Sequence, residues 1–259
     1  MKHFRLNRRG FLLTALCLAP AAAFADAKWL EPTWINVRRL NLARGKPVHR
    51  VVHFSDFHHK GDLRYASNLV NTINALSPEA VFFTGDLIEE SRFVPEALRL
   101  LSGIRSPLFG VPGNHDYWSQ AHFPDIARGF QATGGAWLMD QQHPLPHLQI
   151  NLIGITCRNV AANLPPSEPH LKNVLLMHYP AWAKKLTGRR YDLILAGHSH
   201  GGQVRLPLYG PLMVPFGVDE FDLGWFPTAA GPLYVNAGIG WYPVPIRFNC
   251  RPEVTVIEI

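Results

Sequence analysis

The chain has 259 residues, of which 47% are hydrophobic and 17% charged. That balance excludes a disordered chain and gives enough apolar residues for one large α/β domain. The formal net charge of +6 points at first to an acidic partner, but it is concentrated at the N-terminus.

Residues 1–25 hold Lys2, Arg5, Arg8 and Arg9 and no acid; removing these four from the 25 Lys and Arg leaves 21 basic against 19 acidic residues. A basic start, an apolar stretch from Phe11 to Leu18 and the ending Ala23-Phe24-Ala25 lay out a cleavable export signal. The stretch is well short of the ~20 residues a spanning helix needs. Arg8-Arg9-Gly10-Phe11-Leu12 resembles a twin-arginine signal, with Asn7 and Leu13 replacing its usual flanking Ser/Thr and Lys. The expected division is a signal over 1–25 and one domain over 26–259, exported to the periplasm or cell envelope; an uncleaved anchor is the alternative. Cys17 leaves with such a signal. Cys157 and Cys250 stay, either as two buried thiols or as a bond that an oxidising compartment permits.

Arg38, Arg39, Arg44, Lys46 and Arg50 form a basic run without an acid. It reads as a solvated edge strand guarded by charge, with an anionic surface as the alternative partner. Apolar, β-rich runs follow at VVHF (51–54), AVFFT (80–84), LFGV (108–111), INLIGI (150–155), NVLLM (173–177), DLILA (192–196), LYVN (233–236) and VTVIEI (254–259). Helical periodicity places Leu63, Ala66, Leu69, Val70, Ile73 and Leu76 on one face, and further helices are expected from Val94 and over Asp125 to Ala132. Strand–helix alternation in the first half predicts parallel pairing, whereas the crowded strands after Gly201 predict antiparallel pairing. The fold class is α/β, with two packed mixed β-sheets flanked by helices.

Five of the strand-like runs end in polar residues of one kind. Asp56 and His58 follow the first, Asp86 the second, Asn114, His115 and Asp116 the third, His178 another, and His198 and His200 the last. Strand carboxyl ends in parallel sheets share one edge, so groups distant in sequence can converge there. Two carboxylates and several imidazoles crowded together need cations to neutralise them. Their number exceeds the four ligands of one tetrahedral zinc, and none is a thiolate, which suits two divalent ions sharing a carboxylate. The Asp-x-His and His-x-His spacings aim alternate side chains the same way on an extended chain.

SDFH, TGD, PGNHD, MHYP and AGHSHGGQ, in that order, resemble the motifs of calcineurin-like metallophosphoesterases, in their exported, signal-bearing branch. The resemblance implies a four-layer sandwich and hydrolysis of phosphate esters by water activated at a pair of divalent cations. Asp56, His58 and His200 would hold one cation, Asn114, His178 and His198 the other, and Asp86 would bridge. His115 would meet the phosphoryl group and Asp116 would orient His115. Glu89 stands where the purple acid phosphatase branch has a metal-binding tyrosine, which speaks against an Fe(III)–tyrosinate site. Gly154-Ile155-Thr156-Cys157 replaces an acidic pair common in relatives. Nitrogen and oxygen ligation admits Mn, Fe, Zn or Co.

His53, His59, His122 and His143 are assigned to core or turn positions, with support of the neighbouring site as the alternative for His59. The expected substrate is a monoester, diester or pyrophosphate of the cell envelope, with lipid-linked and sugar-nucleotide esters in view. Phe221, Trp225, Phe226, Trp241 and Tyr242 could rim an apolar channel or cap the core. The modest charge beyond the signal argues against nucleic acid. The other readings are a non-catalytic metal-binding protein, which the intact Asn114-His115-Asp116 run disfavours, and a membrane-surface module using the run from Arg38 to Arg50.

Overall fold

The computed structural model describes residues 18–43, 45–158 and 164–259. Most of the expected export signal (1–17) and Arg44 of the basic run lie outside these; residues 18–25 are helical and continue into a π-turn over Asp26–Leu30. No helix among the described residues is long and apolar enough to cross a membrane.

The first half alternates strand and helix: β1 (Asn36–Asn41), β2 (Arg50–Phe54), α1 (Leu63–Ala75), β3 (Ala80–Phe83), α2 (Val94–Leu101), β4 (Leu108–Gly110), α3 (Asn114–Trp118), α4 (Phe123–Ala132) and β5 (Ala136–Trp137). Strands dominate afterwards: β6 (Gln141–Leu145), β7 (Ile150–Gly154), β8 (Lys172–Leu176), β9 (Leu193–Ala196), β10 (Arg205–Leu206), β11 (Gly210–Pro211), β12 (Gly224–Thr228), β13 (Gly231–Val235) and β14 (Glu253–Glu258). Two six-stranded sheets result, ordered β1-β14-β2-β3-β4-β5 and β12-β13-β9-β8-β7-β6, with β10 and β11 as a separate pair.

Residue alternation builds the layers. Val52, Phe54, Val81, Phe83, Val254 and Val256 face one way and pack with α1, α2 and α4 through Leu69, Ile73, Leu101 and Phe130. Their neighbours Val51, Phe82 and Ile257 face the second sheet and meet Leu152, Val174, Leu176 and Leu195. The outer face of that sheet (Ile153, Leu175, Ile194, Leu233) is covered by Ala183, Leu186, Tyr191 and Phe221. Its covering layer is thin, made of loops and the 3₁₀ turn Pro180–Lys185.

The C-terminal strands divide their pairing more evenly than their crowding suggests. β12 and β13 form an antiparallel hairpin and β14 runs antiparallel to β2, but β13 joins β9 in parallel and β1 joins β14 in parallel. Parallel pairing of β13 brings a sixth strand exit, Asn236 to Gly240, to the same rim as the other five. Arg38 and Arg39 of the basic run do lie on an edge strand, β1, whereas Arg50 opens the interior strand β2; Arg39 and Arg50 both pair with Glu258 of β14 between them.

Candidate active site

Asp56, His58, Asp86, Asn114, His115, Asp116, His178, His198 and His200 are all buried and come together at the rim shared by the two sheets. Their backbone is the first surprise. Asp56 (φ 53°), His58 (φ 44°), Asp86 (φ 60°), His198 (φ 68°) and His200 (φ 50°) all lie in the left-handed region. Convergence therefore comes from tight left-handed turns and not from alternation along an extended chain. Non-glycine residues adopt that region sparingly, and clusters of them mark functional sites. Around them there is no room for substitution: a Cβ at Gly113 would collide with the Asp86 carboxylate, and one at Gly197 with Ser55.

Two groups of ligand-type atoms form. In one, His178 Nε2 lies 2.9 Å from Asn114 Oδ1, 3.1 Å from His198 Nδ1 and 3.3 Å from Asp86 Oδ2. The far nitrogens are committed as donors, His178 Nδ1 to Thr84 O at 2.7 Å and His198 Nε2 to Phe216 O at 2.7 Å. In the other, His58 Nε2 is 3.1 Å from His200 Nε2 and 3.4 Å from Asp86 Oδ2, and His200 Nε2 is 3.5 Å from Asp56 Oδ1. His58 Nδ1 meets Glu89 Oε2 at 2.9 Å.

Fixing the outer nitrogens of His58, His178 and His198 as N–H leaves their inner ones as lone pairs aimed at one another, at His200 Nε2 and at carboxylate and amide oxygens. A single proton cannot serve four such atoms, whereas a divalent cation can, so the residues present fit metal binding. Asp56, His58 and His200 form one candidate set, and Asp86, His178 and His198 a second. Asp86 Oδ2 reaches into both sets.

The charges agree. Burial works against an imidazolium at His178, yet Asp86 and Asp56 outweigh it and raise the group to about 9, so this position calls for positive charge. Burial, reinforced by His178, pulls His198 down to about 3. Burial and then His58 hold His200 well below the usual imidazole range. Burial would raise Asp86, but His178 and His58 keep it well below the ordinary carboxylate value.

His115 is held differently from expectation. Asp116 does not touch its ring; the Asp116 carboxylate accepts the amides of Gly113 (2.8 Å), Leu87 (2.9 Å) and Asp86 (3.1 Å). It thereby ties the Asp86 turn to the Asn114 turn. The partner of His115 is Glu89, whose Oε1 lies 2.7 Å from Nδ1. Burial disfavours charge on His115, but Glu89 and Asp86 prevail and raise its pKa. Glu89 thus joins His58 to His115, and the three form another cluster of ligand type. Sequence reasoning noted Glu89 only as a missing tyrosine; its place three residues after Asp86 was the available signal.

A second missed group is Arg247, fully buried and donating to the carbonyls of Ala237, Gly238, Gly240 and Cys250. It pins the sixth exit loop, whose Ile239 and Gly240 amides bond to Ser55 O and Asp56 O. No spacing in the sequence ties Arg247 to that loop.

The remaining histidines stay outside the two sets. His53 bonds to Thr84, His59 to Glu96, His122 to Asp125, and His143 packs on Phe109. Cys157 and Cys250 are free thiols. A cavity of about 510 Å³ opens from Asp86, Asn114, His115, His198 and His200, with apolar walls from Leu212 to Phe216 and from Tyr242 to Val244. Of the five aromatics expected near a channel only Tyr242 lines it; Phe221 and Phe226 belong to the outer core of the second sheet.

Comparison with known proteins fits this geometry. A metallophosphoesterase of Bacillus subtilis, YkuE, is 29% identical over 98% of both chains. Phosphodiesterase YaeI of Escherichia coli is 28% identical over 98% of this chain and 99% of its own. The UDP-2,3-diacylglucosamine pyrophosphatase LpxG of Chlamydia trachomatis is 26% identical over 95% of each. Residues 49–202, which carry every ligand-type residue of the two sets, match the family model for calcineurin-like phosphoesterases, and the chain belongs to that family of dimetal-dependent phosphoester hydrolases.

Proposed function

We propose that the protein is exported, begins at Asp26 once its signal is removed, and hydrolyses a phosphodiester or pyrophosphate bond in an amphiphilic cell-envelope substrate. Asp56, His58 and His200 would hold one divalent cation and Asn114, His178 and His198 the other, with Asp86 available to both. When bound, such a pair lowers the pKa of water and neutralises phosphoryl oxygens. His115 lines the cavity with Nδ1 tied to Glu89, so Nε2 is the nitrogen free to steady or protonate the leaving oxygen. Asp116 keeps the Asp86 and Asn114 turns in register.

The observation that carries the substrate reading is the direct opening of both ligand sets into an apolar-walled cavity, a form suited to a hydrocarbon group next to a phosphoester. The name of the chlamydial relative, which specifies a diacyl sugar nucleotide and a pyrophosphatase, points the same way.

Metal analysis followed by assay on headgroup-matched pyrophosphates and diesters with short and long acyl chains tests it. The expected result is two ions per chain and a kcat/KM that grows with chain length. Equal rates for all chain lengths would remove the amphiphile from the reading, and one ion per chain would remove the cation pair. Water as the direct nucleophile predicts inversion at a chiral phosphorothioate; retention would require a covalent intermediate.

A further inference from the structure

The segment that walls the cavity has an outer side as well. From Leu206 to Val218 it holds no charged side chain. Leu208, Tyr209, Leu212, Met213 and Phe216 are all exposed, Leu208 completely so. Leu208 also sits at the tip between β10 and β11 with φ 65°, a conformation suited to glycine and unfavourable for a leucine. A strained turn that presents a branched apolar side chain to solvent calls for an apolar partner.

We infer that the β10–β11 hairpin docks into the interfacial region of a lipid bilayer and turns the mouth of the active-site cavity towards the membrane. Three features choose a bilayer over another protein. The exposed face is continuous with the cavity wall, so a protein seated there would close the mouth, whereas a bilayer would deliver an amphiphile to it. The face is uncharged, which matches hydrocarbon and neither an acidic nor a basic surface. The segment after Asp26 joins the domain through Ala27 and Glu31, which bond to Arg247, Asn249 and Cys250. That loop pairs in turn with Val204 and Arg205 at the base of the hairpin, so the exposed apolar side chains of Trp29 and Leu30 are anchored through the same loop as the hairpin. By contrast, Arg39 and Arg50 of the basic run are already paired with Glu258. Delivery of an amphiphile rests on the substrate reading above; the docking itself does not.

Hydrogen exchange of the full chain with neutral phosphatidylcholine vesicles is the test. Amides of residues 206–216 should gain protection in 1 M salt as well as at low salt, and Leu208→Asp should lower vesicle partition about tenfold or more, the value of one buried leucine. Turnover of a soluble phosphodiester should be unchanged in that variant, because Leu208 does not line the cavity. Leu208→Gly provides a second variant: it relieves the backbone strain, so thermal stability should hold or rise while partition falls. No protection of the hairpin on vesicles would overturn the docking. So would protection that depends on protein concentration without lipid, which would mean a second copy, or binding abolished by salt. Protection without any preference for acylated substrates would leave the docking standing and remove only the substrate reading.

Discussion

The floor and the wall of the active-site cavity are built on opposite terms. On the floor, the ligand-type groups are buried and three of the imidazoles are held by a second group, Thr84 O on His178, Phe216 O on His198 and Glu89 on His58, while three amides fix Asp116 beside them. The wall from Leu212 to Phe216 is apolar, with Leu212, Met213 and Phe216 exposed, and it belongs to a segment with only a two-residue strand pair for regular structure. Geometry that must be kept for phosphoryl chemistry sits where the backbone is over-determined, and the surface that meets the rest of the substrate sits where residues can change cheaply. The contrast makes a claim that can be broken: floor changes should act on every substrate alike, and wall changes should discriminate among them.

Asp86→Ala should have the largest effect. It removes the one carboxylate oxygen that reaches both ligand sets, so metal content should fall from two ions to one or none. Turnover should drop by more than about 10³-fold, beyond the loss of a single charge-stabilising donor. Elemental analysis beside a steady-state assay on any phosphoester checks it. His115→Ala comes next, with both ions kept and kcat lower by roughly 10²–10⁴-fold, the range for a lost general acid. If that variant instead lost metal, His115 would belong to the ligand set.

Glu89→Gln separates two roles. Its carboxylate holds His115 Nδ1 at 2.7 Å and His58 Nδ1 at 2.9 Å. A neutral amide keeps the shape but can accept from only one of them through oxygen. Loss of such a supporting partner usually reduces metal affinity or activity by about 10–100-fold. We expect both to fall, which a metal titration and a rate measurement on the fully loaded protein would separate. A fall in rate alone would assign Glu89 to His115 only.

Much of this floor was legible in the sequence because the relevant signal is local: an apolar run followed by Asp, Asn or His identifies a strand exit, and parallel pairing carries the exits to one rim. The helical face of α1 was legible for the same reason, through Ala66, Leu69, Val70 and Ile73. What stayed hidden depends on contacts with no fixed spacing. Asp116 looked like the partner of His115 because they are adjacent, yet adjacent residues on the short α3 point apart, and Asp116 turns back to cap its own helix start through Gly113 N. The left-handed turns at Asp56, His58, His198 and His200 were hidden because side-chain identity favours glycine or asparagine there; only packing against loops such as Gly238–Gly240 imposes them. The wall was illegible because Pro207 to Pro232 has neither a strand nor a helix period.

The smallest effect is the one that most sharpens the contrast between floor and wall. Val214 lies in the cavity wall, and Val214→Thr exchanges a methyl for a hydroxyl with little change of shape. Against a hydrocarbon group the hydroxyl has no partner, so kcat/KM for a long-chain substrate should fall several-fold, comparable to the roughly fourfold expected for one lost methylene contact (about 0.8 kcal/mol). For a short soluble diester the same variant should match the parent, since the floor is untouched. The ratio of the two rates cancels errors in protein concentration and metal loading, so even a threefold change is measurable. An equal drop on both substrates would mean that the wall supports the ligand turns, through the His198–Phe216 hydrogen bond two residues on, and the separation between floor and wall would fail there.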